Sequence, residues 1–148
     1  MPSFRELLQQ STDQVERPRP VADGHYIGEI RGHEFDRSRN KQTPLVRFIM
    51  VPLEETTDVA DGANAGMELA RKELRKEFYI TPTAMYRLTD FLDAVLGKTT
   101  GRSFDERIPD TRGVRVLFQV THRDTTDEAT GEITNTYNDV GTVIAYGD

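Results

Sequence analysis

Six side chains in this 148-residue sequence are of the types needed to hold a phosphodiester strand and its bases: Arg37, Arg39, Lys41 and Arg47 in one stretch, Arg75 and Tyr79 in another. Cations at intervals track phosphates, and an exposed aromatic ring stacks a base for about 1 to 3 kcal/mol with little regard to its identity. That combination suits a single strand, whose base faces are free. It calls for no base reader and no catalytic group. Arg37, Arg39 and Lys41 belong to a basic loop, residues 36 to 43, between two strand-like runs, and Arg47 follows in the second run. In a third run, alternation puts Arg75 and Tyr79 on one side and Leu74, Phe78 and Ile80 on the other. Tyr26 shares parity with Ile30 and is expected in the core, while Tyr86 and Tyr137 are open to either role.

Other chemistries fail on spacing. Gly97-Lys98-Thr99-Thr100 looks like the end of a phosphate-binding loop, but that motif needs glycine where Leu92 stands and a strand before it, not a helix. Between Asp124 and Glu132, Thr126 and Ala129 occupy positions where a calcium loop requires an acid or amide and a glycine. His25, His33 and His122 lack the paired helical spacing of a zinc enzyme. No serine lies in a Gly-x-Ser-x-Gly elbow. The expectation is a non-catalytic protein with no metal and no cofactor.

Composition bounds the rest. The length suits one domain that buries roughly 70% of the surface its unfolded chain would expose. With no cysteine there is no disulfide, thiol nucleophile or thiolate-bound zinc, which is compatible with a reducing compartment. No apolar run approaches the roughly 20 residues of a membrane-spanning helix, and no secretory signal opens the chain. The formal charge of -6 is unlike that of a domain that coats nucleic acid by bulk attraction. The charge is segregated, however. Residues 54 to 68 and 124 to 139 each carry five acids and no cation; without those ten acids, nineteen cations face fifteen acids. The cations concentrate in residues 37 to 47 and 71 to 76.

The elements that would position these residues follow from periodicity and punctuation. Ser3 caps a short amphipathic helix to Gln10, and residues 11 to 23, with Pro18 and Pro20, form an extended arm. Strands are predicted at 25–31, 44–53, about 77–80, 114–121 and 133–145, with glycines in the first allowing a sharp bend. Thr81 as N-cap, Pro82 at the first position and Gly97 as the stop define a helix presenting Met85, Leu88, Leu92, Val95 and Leu96. Residues 98 to 112 read as a polar connection. This order predicts a mainly β fold, a five-stranded OB barrel with one α-helix between strands three and four plugging its end. The arm occupies residues 1–23 and the OB-fold domain residues 24–148.

With Pro18, Pro20, Gly24, Tyr26 and Ile30 leading into the first strand, then Phe78 to Gly97 and the closing Asn138-Asp139-Val140, the chain resembles bacteriophage single-stranded-DNA-binding proteins, a family long catalogued as a phage domain of unknown function. The likeness spans most of residues 18 to 146 and rests on spacing and element order. It implies an OB fold that coats and protects single-stranded DNA during phage replication, recombination or repair, in the cytoplasm of the bacterial host, with little sequence specificity. Phage replication or recombination proteins and self-association into a homo-oligomer are the further partners considered; no membrane is among them. Many members end in an acidic tail that recruits partners, a feature that Val143 to Asp148, with one acid, does not share. Two alternatives stand beside this reading: a virion assembly protein using a small β-barrel for protein contacts, and an RNA-binding OB protein.

Overall fold

The computed structural model describes residues 3–9 and 19–147. Residues 10 to 18, most of the expected arm, lie outside the described residues. The N-terminal helix is α1, Phe4–Leu8, capped reciprocally: Glu6 N–H donates to Ser3 Oγ at 3.2 Å and Ser3 N–H to Glu6 Oε2 at 3.4 Å. Phe4 and Leu8 are exposed.

Five antiparallel strands follow: β1 (Gly24–Arg37), β2 (Pro44–Glu55), β3 (Leu74–Tyr79), β4 (Arg115–Thr126) and β5 (Ile133–Ala145). Their order across the sheet is β3-β2-β1-β4-β5. Strand β1 is central because it pairs with β4 through Gly24 to Glu29 and with β2 through Tyr26 to Arg37. It bends at Gly28, next to a register shift, where a Cβ would collide with the Val51 carbonyl and come 2.8 Å from the Phe118 ring. Only a glycine lets the two backbones approach so closely.

The expected barrel is not formed. Among the described residues no ladder joins β3 to β5, and the sheet is open at these two edges. Its curl brings them near one another, but the link is a side chain: Lys76 Nζ donates to Val140 O at 3.0 Å. The reason lies in β3. Lys76 is opposite Phe48 in the register, at the same inward parity as Leu74 and Phe78. An inward charge on a six-residue edge strand is a known way of keeping that edge from pairing.

Helix α2 (Met85–Leu96) packs against both β3 and β5, so it spans the gap on the inner side. It begins after a turn in which Thr81 O accepts from Ala84 and Met85 N–H, with Ala84 as the N-cap in place of Thr81. Its Leu88, Phe91, Leu92 and Val95 are buried. Phe91 lies 4.6 Å from the Phe48 ring and 4.9 Å from the Phe78 ring, centroid to centroid. Each such side chain contributes about 1.5 to 3 kcal/mol by leaving water.

The polar connection after α2 is structured. A capping box, Ser103 with Glu106, starts α3 (Phe104–Arg107), which runs into a 3-10 turn at Ile108–Thr111. Buried Arg107 donates to Gly97 O at 2.6 Å, Leu92 O at 3.3 Å and Asp93 Oδ1 at 2.8 Å. It thereby adds donors in the last turn of α2 and at Gly97 O just past it, where a cation is favoured.

Residues 19 to 23 are part of the packed body. Val21 is fully buried, and Asn138 brackets it by accepting from its N–H at 2.9 Å and donating to its carbonyl at 2.8 Å. Asn64 accepts from Ala22 N–H and donates to Tyr26 Oη, whose hydroxyl donates to Ala22 O at 2.6 Å. Part of the acidic 54–68 stretch is likewise built in. Asp58 accepts from His25 N–H at 2.9 Å and from Thr56 Oγ1 at 2.7 Å, and pairs with His25 Nδ1 at 2.6 Å. These contacts, the His25 side chain first, hold the Asp58 carboxyl well below the usual carboxylate range.

Candidate nucleic-acid interface

Strand β1 runs to Arg37, so the basic loop narrows to residues 38–43. It is a closed turn: Ser38 N–H donates to Thr43 O, Thr43 N–H to Ser38 Oγ, and Gln42 adopts φ 54°. Arg37 Nη1 donates to Gln42 O at 3.0 Å and supports the turn from one side.

On the outer face, Tyr79 is opposite Leu45 and is 51% exposed. Parity places it there, since Phe78 is buried and Ile80 packs on the core. Tyr79 forms one wall of an open groove of about 660 Å3, and Arg39 and Lys41 are on the facing turn. Hydroxyl and amide groups of Ser38, Asn40, Thr81 and Thr83 complete the lining. The structure therefore brings Arg39, Lys41 and Tyr79 together, three residues up to 40 positions apart in the chain.

Arg37 lies outside that groove. It borders a second concavity, of about 550 Å3, beside Phe35 and Arg39. Phe35 is 60% exposed, with its ring edge-on to His33 at 5.4 Å. The sequence reading passed over Phe35 because it ended the first strand at Arg31. Phe35 is four residues beyond that end, past a register shift between Ile30 and Gly32 that reverses the alternation and sets it opposite Val46.

Arg47 has a different environment. Its guanidinium pairs with Glu34 at 2.7 Å, Glu77 at 2.7 Å and Asp36 at 3.2 Å, carboxylates from both neighbouring strands. Donating to Glu34 and then to Glu77 pushes its pKa further above the ordinary arginine value. On Asp36, the Arg37 backbone N–H and then Arg47 hold the carboxyl below its usual value. Three carboxylates more than neutralise this cation, so its place here is as a clamp across β1, β2 and β3.

Arg75, opposite Ile49, is exposed with only a 3.8 Å approach to Glu73. It faces the groove between the β3 and β5 edges, as do Arg19, Lys72, Lys76 and Arg123. Burial pushes the Lys76 ammonium below its ordinary pKa. On the β5 bank Tyr137 is 43% exposed, and Arg123, its register partner on β4, places its guanidinium 5.4 Å from the ring centroid.

No family model matches this chain, and no curated protein or solved structure shows significant similarity to it. Function has to be argued from the surface itself. Among the described residues no group of histidines and carboxylates is arranged to hold a metal ion, and no helix is long and apolar enough to cross a membrane.

Proposed function

We propose that this chain binds single-stranded DNA, without catalysis and with little sequence preference. The observation that carries this reading is the groove in which half-exposed Tyr79 faces Arg39 and Lys41. A ring there can stack a base while the two cations take the adjacent phosphates, and both interactions are indifferent to base identity. A duplex offers the phosphates but hides the base faces, so the groove favours the unpaired strand. The likeness in element order to phage single-stranded-DNA-binding proteins supports a coating and protecting role in phage replication, recombination or repair, in the cytoplasm of a bacterial host. On this reading phage replication or recombination proteins are its natural partners.

A fluorescence-anisotropy titration tests the proposal with matched single-stranded DNA, duplex and RNA oligomers. The single DNA strand should bind most tightly. If roughly three to five phosphates are neutralised, the log-log salt slope should fall near -2 to -3.5, from about -0.7 per contact. Equal affinity for the duplex would remove the stacking role, and a preference for RNA would shift the ligand to RNA. A flat salt response would favour a virion assembly protein that uses this surface for protein contacts.

A further inference from the structure

The two edges of the sheet, unpaired among the described residues, form the banks of a groove of about 720 Å3 lined by six basic and three acidic side chains. Arg47 and Glu77 belong to this set and are committed to each other at 2.7 Å. The remaining acids make long, exposed pairs: Glu73 is 3.8 Å from Arg75, and Asp139 is 3.4 Å from Arg123. Pairs of that kind contribute little and are readily exchanged for another anion.

The cations lining the groove therefore outnumber its acids, six to three. Lys72 Nζ donates to the carbonyl of Arg19 at 2.8 Å and Lys76 Nζ to that of Val140 at 3.0 Å, so both ammonium groups are positioned by neutral backbone oxygens. A lysine ammonium has three donors, and a carbonyl partner leaves its charge uncompensated. For Lys76, burial disfavours the cation while Asp139 favours it, and an incoming phosphate adds further counter-charge. Opposite it, the Tyr137 ring with Arg123 alongside repeats the pairing of aromatic and cation found at Tyr79.

We propose that this edge-to-edge groove is a second segment of the single-strand path, with Lys72, Lys76 and Arg123 holding phosphates and Tyr137 stacking a base. The inference rests on the single-stranded-DNA reading above and extends it. Arg75 and Tyr79 share the exposed face of β3, four residues and so about 13 Å apart, which connects the two segments along one strand. The sheet's failure to close thus has a use: the gap admits a polyanion where a ladder would have excluded it.

The test compares the wild-type chain with a Lys72→Gln/Arg123→Gln variant, titrated with a roughly 16-nucleotide oligothymidine over a range of salt. Both residues are at the surface, and matched melting temperatures confirm the fold. The variant should bind more weakly, with a salt slope shallower by about 1.4, two contacts at about 0.7 each. If the pair proves unstable, each single variant should remove about 0.7 from the slope. Wild-type binding with an unchanged slope in the variants would overturn this second segment and leave the Tyr79 groove standing. No wild-type binding to any single strand would overturn both.

Discussion

At the scale of single residues, exposure separates groups that can meet a ligand from groups committed to the fold. Tyr79 is of the first kind. Tyr79→Ala should lower single-strand affinity by about 1 to 3 kcal/mol with little change in salt slope, because a stacked base and no phosphate contact is lost. Tyr79→Phe should retain most of the binding. Measuring affinity and melting temperature on one Tyr79→Ala sample decides the matter, since lost stability with intact affinity would make Tyr79 a packing residue. Tyr26 is of the second kind, fully buried and hydrogen-bonded to Asn64 and Ala22. Burial raises its phenol pKa above the ordinary value of 10.0. The folded chain thus keeps this proton where the unfolded chain loses it. The stabilisation is complete below pH 10 and is lost as pH rises through the raised value. Tyr26→Phe should cost about 1 to 3 kcal/mol at neutral pH through the partners it strands, and should flatten the decline above pH 10 in denaturant titrations. An alkaline decline unchanged by this substitution would assign that limb to other groups.

At the scale of elements, the strands and α2 were legible because each announces itself locally. Val46, Phe48 and Met50 alternate, Leu88, Leu92 and Val95 recur at helical spacing, and Gly97 stops the helix with a φ of 91°. The start of α2 was misplaced because Thr81 and Pro82 mark the turn before it. What joins the elements was not legible. Arg47 read as a ligand contact because its three carboxylates come from β1 and β3, up to 30 residues away. Asn64, in the acidic stretch after β2, and Asn138, within the last predicted strand, fasten residues 21 and 22, and nothing local in the sequence announces either contact. Lys76 was a readable signal that went unused, a charge at inward parity between Leu74 and Phe78. The contribution of α2 can be measured directly. Leu92 is fully buried where the helix bridges β3 and β5, so Leu92→Ala should destabilise the chain by about 2 to 5 kcal/mol in chemical denaturation. A neutral effect would mean that α2 does not hold the two edges in place.

At the scale of the whole molecule, the net charge of -6 hides a division of labour. Several acids serve the structure, Asp58 at the start of β1 and Glu34, Asp36 and Glu77 on Arg47, while Arg39 and Lys41 line one proposed segment and Lys72 and Arg75 the other. A local field of this sign can gather a polyanion although the average charge opposes it. The path depends on the sheet being open, and amide hydrogen exchange distinguishes an open sheet from a closed one. Strand β1 is paired on both sides from Tyr26 to Glu29, so its amides there should exchange only near global unfolding. On an antiparallel edge strand alternate N–H groups point away from the single partner. Every second amide of β3, residues 74 to 79, should therefore exchange much faster than its neighbours, as should the outward amides of β5 from 136 to 140. Adding single-stranded DNA should slow those outward amides on both banks if the strand lies between them. Uniform protection along β3 and β5 in the free protein would mean that the edges pair in solution, which would restore the barrel and leave no gap for a strand to enter.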